Sequence, residues 1–201
     1  GGSATESGSQ SVTLTIEENE SAPTVTLSTS ATSIDENSGS VLTLTATLSV
    51  ATTADVTVTI ATSGSATEGT DYTVGSGNID DLVITAGNTT ETISFKPTDD
   101  SVYEGDETAT ISIDSVSGGE ASENGTQAVT ITISENESAP TVTLSVSASS
   151  IAENSGSTLT ITATSSIVAD ENITVGISTS GTATEGTDYG TISDITITAG
   201  N

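Results

Sequence analysis

The acidic residues of this chain stand mostly in short segments between stretches of alternating apolar and hydroxyl residues. Carboxylates that are crowded together repel one another, and a bound divalent cation neutralises them. Calcium fits such a group best, because it accepts about six to eight oxygen ligands in a flexible geometry, whereas magnesium requires a tighter octahedron. The acidic segments between residues 21 and 137 therefore predict a calcium site, and they contain Asp35 and Glu36, Glu68 and Asp71, Asp99 and Asp100, Glu104, Asp106 and Glu107, and Glu135 and Glu137.

The composition excludes most other chemistry. The 201 residues carry 28 acids and a single base, which gives a formal net charge of −27, and they include no Cys and no His. Without thiols and imidazoles, the usual nucleophiles and soft-metal ligands are missing. A nucleic-acid partner is not expected, because binding phosphates requires several cationic side chains. Membrane insertion is not expected either, since no stretch approaches the ~18 apolar residues that span a bilayer.

Catalysis is also not expected. Asp99 and Asp100, together with Glu104, have the residue types of a general acid–base pair. However, no nucleophile arrangement, phosphate-binding loop or aromatic platform for sugars accompanies them in the sequence. We therefore expect this chain not to be an enzyme.

Hydrophobic alternation with a period of two predicts an all-β fold. Residues 42–48, 56–60 and 129–133 alternate apolar residues with Thr. This period is the signature of a strand with one buried face, and Thr suits the solvent-facing side. About seven short strands separated by turn residues are typical of a β-sandwich. The strands of the complete unit are predicted at 24–29, 41–50, 55–62, 82–86, 91–96, 107–114 and 127–134.

The same alternation predicts which side chains fill the core. They are small or aliphatic, with Phe95 as the one aromatic ring. The predicted inward-facing residues are Val25, Leu27, Leu42, Leu44, Ala46, Leu48, Val56, Val58, Ile60, Ile93, Phe95, Ala109, Ile111, Ile113, Val129, Ile131 and Ile133.

The sequence repeats itself with an offset of 117 residues. Residues 21–72 share 36 identities in 52 positions with residues 138–189, and residues 1–20 align with 118–137. A unit of this length is typical of an independent domain. We therefore expect the C-terminal strand of a preceding repeat at 1–20, a complete domain at 21–137, and the N-terminal part of a further domain at 138–201. Such a sequence reads as a window on a longer tandem array.

Several motifs of the repeat belong together. Ile34–Gly39 reads Ile-Asp-Glu-Asn-Ser-Gly, Gly69–Tyr72 reads Gly-Thr-Asp-Tyr, and Thr98–Thr108 contains Asp-Asp followed by Glu-Gly-Asp-Glu. The closing strand Val129–Ile133 is followed by Glu-Asn-Glu. In these motifs each copy resembles a Calx-beta domain, the module of sodium–calcium exchangers and of many large bacterial surface proteins. The resemblance covers residues 21–137 and about the first half of the unit at 138–201.

The resemblance implies tandem immunoglobulin-like antiparallel β-sandwich domains, often with calcium bound at one tip. The chain departs from the family in its closing triplet, where Glu135-Asn136-Glu137 stands in place of the aspartates that calcium-binding members often have. The last copy keeps only a partial site, which consists of Glu153 and Asp188. In the opening segment, Glu18 and Glu20 align with Glu135 and Glu137. Carried over to matching positions, the implied calcium ligands are Glu36, Asp71, Asp99, Asp100, Glu104, Glu107, Glu135 and Glu137.

The expected function is a structural calcium-binding repeat of an extracellular bacterial stalk, adhesin or filament, secreted or at the cell surface. Calcium would make the junction between domains rigid. The expected partners are neighbouring repeats of the same protein, and a homopolymeric filament is one assembly that they would form. One alternative is an adhesion module that binds a glycan or a protein without calcium. Another is a subunit of a filament in which the strand at 11–17 completes a neighbour's sandwich.

Overall fold

The strands follow the alternating pattern closely. In the computed structural model, which describes residues 1–17, 19–76 and 81–201, strands are the main element and one short 3-10 turn, Glu36–Ser38, accompanies them. The strands are β1 Thr24–Thr29, β2 Ser33–Asp35, β3 Leu42–Leu48, β4 Val56–Gly64, β5 Tyr72–Val74, β6 Leu82–Ile84, β7 Thr90–Pro97, β8 Glu107–Ser117, β9 Ser122–Glu123, β10 Ala128–Ser134, β11 Val142–Val146, β12 Ile161–Ser165, β13 Ile173–Val175 and β14 Ile195–Ile197.

Two five-stranded sheets form the domain within residues 24–134. One has the strand order β5-β7-β3-β1-β9 and the other β2-β10-β8-β4-β6. Neighbours are antiparallel except β1 with β9 and β2 with β10. The apolar faces of both sheets contribute to one cluster of buried side chains, which is the construction of a β-sandwich. The prediction of an all-β, mainly antiparallel sandwich is confirmed.

The core consists of the predicted inward faces and a few additions. Every predicted residue is buried except Ile93 and Val129, which are half-buried and pack against the others. The pattern missed Tyr72, whose ring stacks on Phe95 with centroids 4.8 Å apart. Because Tyr72 is held in the core, its neighbour Asp71 is fixed at the edge of the sandwich.

The strands that the pattern missed are all at sheet edges. β2, β5 and β9 have three residues or fewer, which is too short for a periodic signal. Two central strands are longer than predicted, since β4 continues to Gly64 and β8 to Ser117. Only glycine fits at position 64, because its φ is 129° and a Cβ there would lie 2.0 Å from the carbonyl oxygen of Thr108. This close approach brings β4 against the beginning of β8, next to Glu107.

The chain on either side of this domain is less packed. β11 pairs with β12 and β13 with β14, in two separate two-stranded sheets. Leu144 is 55% exposed, whereas its counterpart Leu27 is 7% exposed, because β11 lies in a two-stranded sheet and β1 lies inside a five-stranded sheet of the sandwich. Residues 11–17 lie outside the strands given above. Their assignment to the closing strand of a preceding repeat stays a prediction.

No helix among the described residues is both long enough and apolar enough to cross a membrane.

Candidate metal centre

The sheet topology collects the acidic loops at one end of the sandwich. The end of β2 lies beside the end of β10 in parallel register, with Asp35 opposite Ser134. The beginning of β8 lies against the end of β10, and the beginning of β5 lies against the end of β7. The loop from β7 to β8, residues 98–106, connects the two sheets at this same end. Carboxylates that follow or precede these strands therefore converge.

The first group, here called the Glu36 cluster, consists of Glu36, Glu135 and Glu137. One carboxylate oxygen of each lies within 4.8 Å of the others. Glu36 is only 6% exposed. Burial, together with the negative charges of Glu135 and Glu137, raises the pKa of Glu36 to about 7. One buried and two half-buried carboxylates at this distance repel one another unless protons or a cation neutralise them.

Glu135 holds the cluster in place. Its Oε2 accepts the backbone N–H groups of Glu104, at 2.6 Å, and of Gly105, at 2.8 Å. Its Oε1 accepts the N–H groups of Asn136 and Glu137, at 2.8 and 2.9 Å. Although burial opposes its charge, these backbone donors lower the pKa of Glu135 to about 2. Glu135 therefore stays ionised and connects the closing segment to the β7–β8 loop.

Glu137 provides the clearest sign of an incomplete ligand set. Its Oε1 accepts a hydrogen bond from the Asn136 side chain at 2.9 Å, but its Oε2 is buried without a hydrogen-bond partner. The contact with the Glu135 side chain, followed by burial, raises the pKa of Glu137. A buried oxygen without a partner is unfavourable and rare in folded proteins. A hard cation fits here, since every side chain of the cluster offers carboxylate oxygen.

The second group, here called the Glu104 cluster, consists of Asp71, Glu104 and Glu107. Their carboxylate oxygens also approach within 4.8 Å of one another. Burial and the charge of Asp71 raise the pKa of both Glu104 and Glu107 to about 7. Asp71 is oriented by the backbone N–H of Thr67, which donates to Asp71 Oδ2 at 2.6 Å. This cluster has the same oxygen-only chemistry as the first.

Asp99 and Asp100 flank the clusters rather than joining them. The backbone N–H of Asp100 donates to Glu36 Oε1 at 3.3 Å, and Asp100 Oδ1 accepts the N–H of Val102 at 2.7 Å. The charge of Asp100 contributes to the raised pKa of both Glu36 and Glu104. The charge of Asp99 acts on Glu137 in the same way. Their assignment as ligands stays a prediction, as does that of the six cluster members.

The partial site of the last copy is not assembled among the described residues. Glu153 is exposed, whereas its counterpart Glu36 is buried. Asp188 Oδ2 accepts the N–H of Thr184 at 2.7 Å, so it repeats the local geometry of Asp71. Neither residue belongs to a group of three close carboxylates in the part of the chain that the structure describes. Glu20 is exposed, and Glu18 lies outside the described residues.

Two acids near the clusters are not among the calcium ligands that the resemblance implied. Asp106 Oδ1 accepts the backbone N–H of Glu135 at 3.0 Å and so positions that residue. Asp170 belongs to the following copy, and its charge contributes to the raised pKa of Glu107. The sequence contained one signal for Asp170, because the aligned position in the complete copy is Thr53. The aligned positions thus differ by one negative charge, which indicates that residue 170 has surroundings that residue 53 lacks.

Comparison with known protein families identifies the family of this chain. The chain matches the Calx-beta domain over residues 18–137 and again over residues 135–197. The chain therefore belongs to the Calx-beta domain family. No curated protein sequence matches it.

Solved structures similar to this chain include the apo form of the Calx CBD1 domain, at 20% identity and a TM-score of 0.46, over 57% of this chain and 99% of that one. They also include CBD12 from CALX1.2, at 22% identity and a TM-score of 0.43, over 51% of this chain and 40% of that one. A third is the calcium binding domain CBD12 of CALX1.1, at 24% identity and a TM-score of 0.42, over 50% of this chain and 41% of that one. This chain spans about two fifths of each CBD12 structure.

Proposed function

We propose that residues 21–137 form a structural calcium-binding module whose ion lies in the Glu36 cluster. The observation that carries the proposal is the buried Oε2 of Glu137, which has no hydrogen-bond partner within a group of three close carboxylates. A cation supplies both the missing partner and the missing countercharge. A merely solvated acidic surface would leave this oxygen in water.

The donor set favours hard cations such as calcium over softer metals. Both clusters offer only carboxylate oxygens, which suit calcium, magnesium and manganese and not the softer metals. Within the Glu36 cluster, Glu36 and Glu137 are the principal ligands. Glu135 accepts four backbone N–H groups and mainly keeps the loops together. The Glu104 cluster is a second position for the same kind of ion.

Calcium binding would make the junction to the next repeat rigid. Glu135 and Glu137 immediately precede Ser138–Pro140, which lead into the following copy. The charge of Asp170, which lies in that copy, contributes to the raised pKa of Glu107. Without an ion, the carboxylates repel and the junction loosens. With an ion, the closing segment and the loop from β7 to β8 are held together, and successive domains form a stiffer rod.

The setting we propose is an extracellular bacterial stalk, adhesin or filament, secreted or displayed at the cell surface. The tandem repeat and the strongly acidic composition support this setting. Neighbouring repeats of the same protein are the proposed partners. Extracellular modules bind calcium with Kd values of about 0.1–1 mM, whereas intracellular sensors bind it far more tightly. A Kd well below 1 µM would therefore contradict the extracellular setting.

The test is thermal unfolding of the full chain at fixed ionic strength, with EDTA, with magnesium or with calcium. Because calcium binds the folded state, we expect a rise in Tm in calcium alone. At about 100 times Kd the stabilisation is about 2.7 kcal/mol, which raises Tm by about 5–10 °C in a chain of this size. Glu137→Gln should remove most of the rise. Identical curves under the three conditions would contradict the proposal.

A second candidate function is strand donation by the opening segment. Val12, Leu14 and Ile16 are 95%, 84% and 89% exposed, alternate with polar residues, and align with the core residues of β10. Such a segment can complete another domain by adding a strand. Sedimentation should then show association that Leu14→Asp abolishes and Thr13→Asp, on the opposite face, does not. A chain that stays monomeric at every concentration would contradict strand donation between chains.

A further inference from the structure

An open groove of about 670 Å³ lies at the end of the sandwich opposite the carboxylate clusters. It is formed where the chain enters β1, where β3 connects to β4, and where β8 connects to β9. Val50 on its wall is 49% exposed. Its lining combines small and apolar residues, such as Pro23, Val50, Ala51 and Gly119, with the acids Glu20 and Glu120.

The same surface of the following copy is covered. With the repeat offset, Ala51, Thr52 and Thr53 correspond to Val168, Ala169 and Asp170. The N–H of Tyr103 donates to the carbonyl oxygen of Val168 at 2.9 Å, and the N–H of Asp170 donates to the carbonyl oxygen of Tyr103 at 3.2 Å. Tyr103 and Ala169 thus form an isolated parallel bridge. The loop that carries the Glu104 cluster of one domain contacts the beginning of the next.

Burial shows the effect of this contact. Val50 and Ala51 are exposed, whereas their counterparts Ile167 and Val168 are half-buried. The difference runs against the general trend, because most of the last copy is more exposed than the complete domain, as Leu144 and Leu27 show. The Tyr103 loop therefore accounts for the extra burial.

The backbone frame is the same in both copies. The N–H of Gly87 donates to the Thr52 carbonyl oxygen at 2.9 Å, as the N–H of Gly200 does to the Ala169 carbonyl oxygen. The N–H of Ala86 donates to Asp55 Oδ1 at 2.8 Å, as the N–H of Ala199 does to Asn172 Oδ1. The segment in the complete domain is therefore already shaped to make the bonds that its counterpart makes.

We propose that another repeat of this sequence, placed ahead of residue 21, docks in the groove. The part of it that binds there is the loop that corresponds to residues 98–106, with its tyrosine at the position of Tyr103. The N–H of that repeat's tyrosine donates to the carbonyl oxygen of Ala51, and the N–H of Thr53 donates to the tyrosine carbonyl oxygen. The contact is between backbones and apolar surfaces, so it does not depend on the proposed calcium function. Thr53 and Ala54 stand where the following copy has Asp170 and Glu171, so residues 51–54 carry two carboxylates fewer than residues 168–171.

The test extends the full chain by one repeat. Residues 21–117 are placed before Gly1, so that the existing residues 1–20, which align with 118–137, close the added domain. Tyr103→Cys in the added repeat and Thr52→Cys in the original one then form the pair that Tyr103 and Ala169 form in the structure. Neighbouring strands lie about 4.8 Å apart, which is within the range of about 4.4–6.8 Å between Cα atoms that a disulfide requires. The natural chain has no cysteine, so any cross-link is the introduced one.

We expect mild oxidation to cross-link this pair in most molecules. The control chain combines Tyr103→Cys in the added repeat with Ser40→Cys, at the opposite end of the original domain, and it should stay reduced. Cross-linking in EDTA and in calcium, or in calcium alone, supports the inference. No cross-linking in either condition, or equal cross-linking in the control, overturns it, while a rise of Tm in calcium would still support the calcium proposal.

A cysteine-free version of the extended chain gives a second measurement. Exchange of the Thr53 amide should slow by at least about tenfold relative to the 201-residue chain, because the amide becomes hydrogen-bonded at the new junction. Unchanged exchange in a chain whose added repeat is folded, as its protected strand amides would show, also overturns the inference.

Discussion

The carboxylate of Glu135 accepts the backbone N–H of Glu104 at 2.6 Å, so the segment that closes the domain holds the loop that carries Glu104 of the second carboxylate cluster. The two clusters are thus parts of one structure. A substitution in the closing segment should therefore alter both clusters. Through the loop that carries Tyr103, it should also alter the contact with the next copy.

Removing the Glu135 side chain should destabilise the domain even without calcium. Glu135→Ala leaves backbone donors of Glu104, Gly105 and the closing segment without their acceptor. Hydrogen bonds to a charged group contribute about 1.5–3 kcal/mol each, and part of this is recovered by water, so we expect a loss of about 2–4 kcal/mol. Denaturant unfolding in EDTA measures it. Asp114→Asn, an exposed acid on β8, is the control, and equal stability of the two variants would refute the role given to Glu135.

The ion-free domain should become less stable as the pH rises toward 7. Glu36, Glu104 and Glu107 have pKa values raised from 4.5 to about 7. The folded state therefore binds more protons than the unfolded state in this window. Their stabilising contribution is complete below about pH 4.5 and is lost as pH passes 7. Glu135 has the opposite effect because its pKa is lowered to about 2. Its stabilising contribution is complete above about pH 4.5 and is lost as the pH falls from 4.5 to 2.

Melting curves in EDTA from pH 4.5 to 8 check this dependence. Tm should fall across the range, and Glu36→Gln should flatten the fall. A Tm that is constant or rises with pH would show that the carboxylates are not crowded in solution.

Calcium binding should release protons near neutral pH. An ion in either cluster requires the ionised carboxylates, so it displaces protons from groups whose pKa is about 7. Affinity should therefore increase from pH 6 to pH 8. Calorimetry at pH 6.5 in two buffers with different ionisation enthalpies should give different apparent heats. Equal heats would mean that these groups are not ligands.

Asp170 should affect the junction in opposite directions with and without calcium. Its charge disfavours the ionised form of Glu107, so Asp170→Asn should relieve repulsion and raise stability by at most about 0.5 kcal/mol in EDTA. If Asp170 helps to hold the ion, the same change should reduce the gain in Tm that calcium produces. Glu171→Gln, one residue along in the chain, should do neither, and identical behaviour of the two variants would remove Asp170 from the site.

The core should support the site through Tyr72. The ring of Phe95 is fully buried and stacks on Tyr72, which directly follows Asp71. Phe95→Ala should cost about 3–5 kcal/mol and weaken calcium binding as well, because Asp71 loses its support. Val83→Ala, on the exposed side of β6, is a mild control. Full calcium affinity in a Phe95→Ala domain that is still folded would contradict this coupling.

Much of the fold could be predicted because long strands with one buried face carry a period-two signal. The edge strands could not, since β2, β5 and β9 are too short for periodicity and exist through pairing with distant strands. The acidic loops were visible, but their division into two clusters depends on backbone donors such as the Asp100 N–H, which the sequence does not show. The role of Asp170 comes from a contact between copies, which no analysis within one repeat reveals.

Direct calcium titration of the full chain, with Glu137→Gln and Asp114→Asn beside it, is the most direct test of the central claim. The account predicts saturable calcium binding that magnesium does not reproduce, that Asp114→Asn retains and that Glu137→Gln weakens by at least about tenfold, or about 1.4 kcal/mol. No saturable binding, or binding that Glu137→Gln leaves unchanged, would contradict a calcium site built around the buried oxygen of Glu137.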